Sequence, residues 1–275
     1  MPTGTDVAKK EYSDNADEYV VSKTLPWRKH IEEFSLKKTL AKHFEHALGH
    51  NKLDVLELAC GAGYYSSKIL DQWGTARFVF GVDLSEDMIE RAKQVFRDDN
   101  RASFIVADCG ESPPRKYMKD LNRDSESFDL CFAAYLLNYA TDKDMLLRMC
   151  QTIRANLRPG GLFLSVNDGS YQTPESFGFP SNHGFTKVFK DQEVANGSKS
   201  VQDFEPLVYR FKNSEDGSSF DITNYRISPE TFEWAFKEAG FSHFQLLPSV
   251  ADPSVEKDFQ DLISIQPVMI IEAIV

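Results

Sequence analysis

Residues 53–66 read LDVLELACGAGYYS: a carboxylate, Glu57, inside an apolar run, then Gly61 and Gly63, then residues suited to start a helix. Glycines let a ligand approach the backbone, and a helix start offers N–H groups with no partner of their own. Two further carboxylates end apolar runs. Asp83 closes ARFVFGVD, twenty residues beyond Gly63, and Asp108 closes ASFIVAD. A carboxylate at the end of the second strand of a doubly wound sheet can accept both hydroxyls of a ribose, and ligands of such sheets lie beyond the carboxyl ends of the strands. Three acids so placed face one crevice. They would repel a pyrophosphate, and they suit a nucleoside joined to a cationic group. Glu57 is costly to bury unpaired. It accepts from loop N–H groups or a ligand ammonium, or it pairs with a lysine or arginine elsewhere.

The elements that must hold these groups follow from periodicity. Apolar runs at 53–59, 76–83, 102–108, 127–134 and 160–168 read as buried strands, separated by helical stretches at 64–73, 85–98 and 145–157. Strands alternating with helices imply a parallel sheet wound on both faces. Helices over about 6–20 and 27–48 precede it. Ser228-Pro229-Glu230 opens a later helix, with serine as cap and proline in the first turn, and Gly240 stops it. HFQLLPSV and PVMIIEAIV complete seven strands. Residues 169–227 break the alternation, and 206–213 with 218–227 flank a polar turn as a hairpin. The expected divisions are a helical cap at 1–50, a ligand-binding core at 51–168, an inserted substrate lid at 169–227 and a return to the core sheet at 228–275.

The chain has 275 residues and a net charge of −11, an excess that argues against nucleic acid or an anionic membrane as partner. Cys60, Cys109, Cys131 and Cys150 lack CxxC spacing and read as small buried hydrophobes in a reducing compartment. No stretch has the length and apolarity of a membrane span or a secretory leader, so a cytoplasmic protein is expected.

LELACGAGYYS, GVDLSEDMIERA, ADCGES, FDLCFAAYLLNYA and LRPGGLFLSV, in this order and spacing, resemble the successive motifs of the class I S-adenosylmethionine-dependent methyltransferases. The resemblance is strong over 53–168. It implies an α/β fold, a Rossmann-like doubly wound seven-stranded sheet whose last strand is antiparallel, here with N-terminal helices and an inserted hairpin or lid. The implied cofactor is S-adenosyl-L-methionine, leaving as S-adenosyl-L-homocysteine. Implied cofactor positions are Glu57, Ala59, Cys60, Gly61 and Gly63 for the methionine part, and Asp83 for ribose. Leu84, Met88, Asp108 and Cys109 fall at adenine, and Ala133 comes after them. Ala59 departs from the family's usual glycine. Tyr12, Tyr19 and Arg28 resemble a first helix that closes over the cofactor, with Arg28 toward its carboxylate. A weaker resemblance, carried by LLNYA, GFSHF and the aromatic insertion, is to the toxoflavin N-methyltransferase-like subgroup. Its members act on small heteroaromatic molecules of secondary metabolism.

Methyl transfer from a sulfonium is a direct displacement that needs alignment and exclusion of water. No metal ligand set is apparent. Tyr135, Asn138, Tyr139, Tyr171, Phe177, Tyr209 and Tyr225 are the candidate walls of an acceptor pocket, suited to a flat heteroaromatic or a cationic amine. His183 and Tyr135 are the candidate proton-handling groups. The expected activity is methylation of a small molecule, at nitrogen rather than oxygen. The rivals are a nicotinamide-dependent oxidoreductase, which leaves Asp108 unexplained, and a methyltransferase-like binding protein without turnover.

Overall fold

A computed structural model describes residues 11, 15–44, 52–110, 127–169, 177, 182–212 and 217–275. Among them the chain alternates as its periodicity demands. The strands are β1 (Leu53–Leu58), β2 (Ala76–Asp83), β3 (Ala102–Val106), β4 (Phe128–Ala134) and β5 (Leu157–Asp168). β9 (His243–Pro248) and β10 (Val268–Ile274) complete a sheet of order β3-β2-β1-β4-β5-β10-β9. β10 runs antiparallel to both its neighbours, and the other pairings are parallel. This is the Rossmann-like sheet expected, with the antiparallel strand slotted beside β5. The strand order reverses between β1 and β4, the switch point where such sheets bind ligands.

Both faces of the sheet are covered. One packs Val55, Val79, Leu130, Leu164 and Ile270 against Ile31, Leu36, Leu40, Ile69 and Ile89. The other packs Leu56, Phe80, Phe163 and Ile271 against α5 (Lys143–Asn156) and α7 (Pro229–Glu238). Of the two caps here, Ser228 is the one expected from the sequence. Asp142 accepts from the Met145 N–H at 2.8 Å, and the Ser228 hydroxyl accepts from the Thr231 N–H at 3.3 Å.

The N-terminal helices differ in detail from expectation. α1 spans Ala16–Ser22. The second helix, α2, begins with a π-helical segment, Arg28–Glu33, and continues as Phe34–Phe44. A π segment turns side chains out of the α register and is frequent at functional sites. Here it carries Arg28 and Glu32. A shorter helix, α3, opens at Tyr64–Ser67 and continues as π over Lys68–Gln72, and α4 spans Glu86–Val95.

The insertion is more than a hairpin. β7 (Pro206–Lys212) and β8 (Ser219–Tyr225) form the expected pair. A third strand, β6 (Phe185–Phe189), lies along β7, and the short α6 (Gln192–Ala195) follows it. Past β9 a 3₁₀ turn, Glu256–Phe259, leads into α8 (Gln260–Ser264), a piece the periodicity did not reveal. No described helix is long and apolar enough to cross a membrane.

Candidate active site

Beyond the carboxyl end of β1 the chain turns through Ala59 (φ +54°), Gly61 (φ +53°) and Gly63 (φ +83°) before α3. A side chain on Gly63 would meet the Phe96 ring at 2.8 Å. At Gly61 a side chain would meet nothing within 4 Å, because that side of the loop is open. Ala59 holds a left-handed conformation that costs a β-carbon about 1–2 kcal/mol.

Asp83 fixes this loop. One carboxylate oxygen accepts from the Gly61 N–H at 2.8 Å, the other from the Ser85 N–H at 2.9 Å. Burial raises the Asp83 pKa, against the pull of those backbone bonds. Each oxygen keeps a lone pair for a further donor. Asp83, Leu84, Met88, Asp108 and Cys109 line one wall of a crevice of ≈ 750 Å³, and Met145 and Met149 of α5 line it too. Asp108 meanwhile accepts from the Gly110 N–H at 2.7 Å.

On the other side of Gly61 lies a second hollow of ≈ 980 Å³, lined by Lys23, Glu57, Cys60, Gly63, Tyr64 and Tyr65 among others. Tyr19, Ala59, Gly61 and Ala134 border both. Glu57 is 2% exposed. Its partner is local: the Ser66 hydroxyl, at the third position of the glycine pattern, donates to it. Burial pushes the Glu57 pKa up to about 8, with the Ser66 bond and the charge of Lys23 opposing and Asp83 adding.

Lys23 is a site residue that the sequence does not mark, as are Trp27, Glu32, Phe211 and Asn224. It is 6% exposed. Its ammonium stands 5.0, 5.2, 5.3 and 6.0 Å from the ring centroids of Tyr19, Tyr135, Tyr65 and Tyr64. Among the described residues no carboxylate forms an ion pair with it. Arg28, expected toward a ligand carboxylate, is engaged otherwise. Its guanidinium donates to Glu32 at 2.8 Å, to the Ser22 carbonyl at 3.0 Å and to the Tyr135 hydroxyl at 3.2 Å. A buried guanidinium demands a countercharge, and Glu32, one turn on and fully buried, supplies it. Tyr65 and Tyr135 also donate to Glu32. Burial works to raise the Glu32 pKa, but Arg28, Lys23 and these phenols together hold it below the ordinary value.

A third, narrow hollow lies between the insertion and the end of the sheet. Trp27, Arg28, Tyr135, Tyr209, Phe211 and Asn224 are among its walls, and Tyr19 borders this hollow as well as the other two. Tyr135 has φ +64° at the end of β4, where a non-glycine residue is strained, and its N–H is tied to the Val166 carbonyl at 2.7 Å.

Several expected residues lie elsewhere. Ala133 faces the far core, and Ala134 borders the crevice instead. The Asn138 side chain accepts from the Asp168 N–H at 3.0 Å, bracing the end of β5. Tyr139 lines the Asp83 crevice. Phe177 packs on Phe189, ring centroids 5.1 Å apart. Tyr225 follows Asn224 on β8, so its side chain leaves by the opposite face. His183 pairs with Asp261 at 3.0 Å and packs against Phe259, away from all three hollows. Tyr12 and Tyr171 lie outside the described residues.

The model of a methyltransferase domain matches residues 55–161, the stretch that builds the crevice. Residues 55–161 are a methyltransferase domain. The chain is 28% identical over 155 residues to malonyl-[acyl-carrier protein] O-methyltransferase 2 of Ilyobacter polytropus, an alignment covering 56% of this chain and about half (52%) of that protein. The chain's fold is shared with an S-adenosylmethionine-dependent methyltransferase from Clostridium acetobutylicum (TM-score 0.58, 18% identity, 96% of this chain and 99% of that one). It is shared too with the N-methyltransferase NodS of Bradyrhizobium japonicum, solved with S-adenosyl-L-homocysteine (TM-score 0.54, 13% identity, 98% of each chain).

Proposed function

We propose that this chain binds S-adenosyl-L-methionine across Gly61 and transfers its methyl group to a small heteroaromatic or amine-bearing molecule held in the third hollow, at nitrogen in preference to oxygen. The observation that carries the reading is the pairing of opposite groups on the two sides of one glycine. Asp83, Met88 and Asp108 offer a ribose acceptor, an apolar wall and an adenine edge. Glu57 and Lys23 offer a carboxyl and an ammonium that has no ion pair among the described residues, complementary to the amino and carboxylate ends of an amino acid. The donor set therefore fits the cofactor the family uses.

When bound, that cofactor supplies an electrophilic methyl carbon on a sulfonium. The residues of this chain bind, orient and keep out water. Tyr19 stands where the three hollows meet, and the aromatic walls of the third favour a flat or cationic acceptor. Tyr135 orients the acceptor's proton. Its phenol is held well above the ordinary pKa by burial and the Glu32 charge, so it stays protonated, and its hydrogen is aimed at Glu32. With its own hydrogen turned to Glu32, the Tyr135 oxygen offers a lone pair to the acceptor's N–H or O–H and orients it. A reaction partner of nucleic acid type fits poorly with the net charge of −11.

The test is calorimetric titration of S-adenosyl-L-methionine, S-adenosyl-L-homocysteine and NADH into wild type and Asp83→Ala. Micromolar binding of the sulfur nucleosides, largely lost in the variant, is expected. Binding of NADH without either of them overturns the reading.

A further inference from the structure

The polar atoms around the third hollow carry a hydrogen-bond code. Tyr209 donates its hydroxyl hydrogen to Asp168, which also accepts from the buried Lys187 ammonium. Lys187 is held in turn by the Pro267 carbonyl at 3.1 Å. Tyr135 likewise donates to Glu32 and accepts from Arg28. With both hydrogens turned to carboxylates, the two phenol oxygens have only lone pairs left to offer. The Asn224 amide nitrogen donates to the Thr223 carbonyl at 3.2 Å, and its carbonyl oxygen has no described donor. Among the described residues the donors at this hollow include the Arg28 guanidinium, already turned to Glu32, Ser22 and Tyr135, and one donor with no partner. The Trp27 indole N–H, in a residue 2% exposed, has no partner among the described residues. A buried N–H without a partner costs about 1–3 kcal/mol, a cost removed by a ligand that accepts from it.

We infer that the third hollow selects a planar acceptor that carries both an N–H or O–H donor, read by the lone pairs of Tyr209 and Tyr135, and a lone-pair acceptor, read by the Trp27 N–H. The inference rests on the reading of this hollow as the methyl acceptor's site. It narrows that site to heteroatom nucleophiles still carrying a proton when bound, such as an azole or lactam N–H beside a ring nitrogen or carbonyl. It sets aside tertiary amines, thioethers and hydrocarbon carbon.

Four bicyclic probes of nearly equal size separate the terms: benzimidazole has both groups, indole the donor only, 1-methylbenzimidazole the acceptor only, and indene neither. Each is titrated by calorimetry into the full chain, with and without saturating S-adenosyl-L-homocysteine. Benzimidazole is expected to bind about tenfold or more tighter than indene, with the other two between. Tyr209→Phe should reduce the advantage of indole over indene, and Trp27→Phe that of 1-methylbenzimidazole. Both variants should bind S-adenosyl-L-homocysteine as wild type does. Benzimidazole within twofold of indene, no binding of any probe at 1 mM, or an unchanged ladder in Tyr209→Phe overturns the inference. Failure of wild type to bind S-adenosyl-L-homocysteine, with the ladder intact, would instead overturn the cofactor reading and leave the code standing.

Discussion

Glu57 ought to make cofactor binding release a proton. With its pKa near 8 in the free site, the carboxyl is about 90% protonated at pH 7. A ligand ammonium placed beside it favours the charged form and returns the group to the ordinary carboxylate range. Binding at pH 7 then expels about 0.9 proton, offset by about 0.1 taken up to complete the ligand's own α-ammonium. Net release is about 0.8. Linkage demands that affinity improve about tenfold between pH 6 and 7 and flatten near 8.

Titrating S-adenosyl-L-homocysteine in buffers of different ionisation enthalpy measures the released proton directly. Glu57→Gln keeps an acceptor for Ser66 and removes the titration, so release should fall to near zero and the pH dependence should vanish. The sign can be checked again on stability. A carboxyl whose folded pKa is raised contributes stability that is present below its unfolded value, 4.5, and lost as pH rises through about 8. Ligand-free wild type should therefore lose stability relative to Glu57→Gln across that window, and saturating ligand should protect increasingly over pH 6–8. Release below 0.2 proton at pH 7 in wild type, with binding intact, would refute the assignment of Glu57 to the ligand's amine.

Lys23→Met removes a buried charge with no ion-pair partner among the described residues. Affinity for S-adenosyl-L-homocysteine should drop about 10–100-fold while thermal stability holds or rises, a combination read by calorimetry and a melting curve. Ala59→Gly relieves the left-handed strain at φ +54°, with a net gain of about 1 kcal/mol, or about 2–4 °C in Tm. Asp203 accepts from the Ser228 N–H at 2.6 Å and hydroxyl at 2.7 Å, and from Thr231, tying the insertion to the start of α7. Asp203→Ala should cost about 2 kcal/mol by urea unfolding without weakening cofactor binding.

The cofactor crevice was legible because its parts are local. A strand, two glycines and a helix start are contiguous, and Asp83 and Asp108 each close a strand. What escaped is where a charge or polar group sits in an apolar setting. β6 reads FTKVF and places Phe185, Lys187 and Phe189 on its inward face, so a buried lysine hid its alternation. That lysine makes sense only once Asp168 is beside it. Nothing in the sequence marks Glu32 as buried beside Arg28, so Arg28 reads as a partner for a ligand carboxylate. β4 is buried on both faces over much of its length, so no polar alternation separates Ala133 from Ala134. The third hollow compounds these difficulties. Its defining bonds join residues 103 apart for Tyr135 and Glu32, and 41 apart for Tyr209 and Asp168. A cofactor shared by a whole family can be written in contiguous motifs, whereas an acceptor site assembled from distant pairs is visible only after folding. On the function proposed above, the sequence names the methyl donor before the methyl acceptor, whose identity is then to be sought in those long-range pairs.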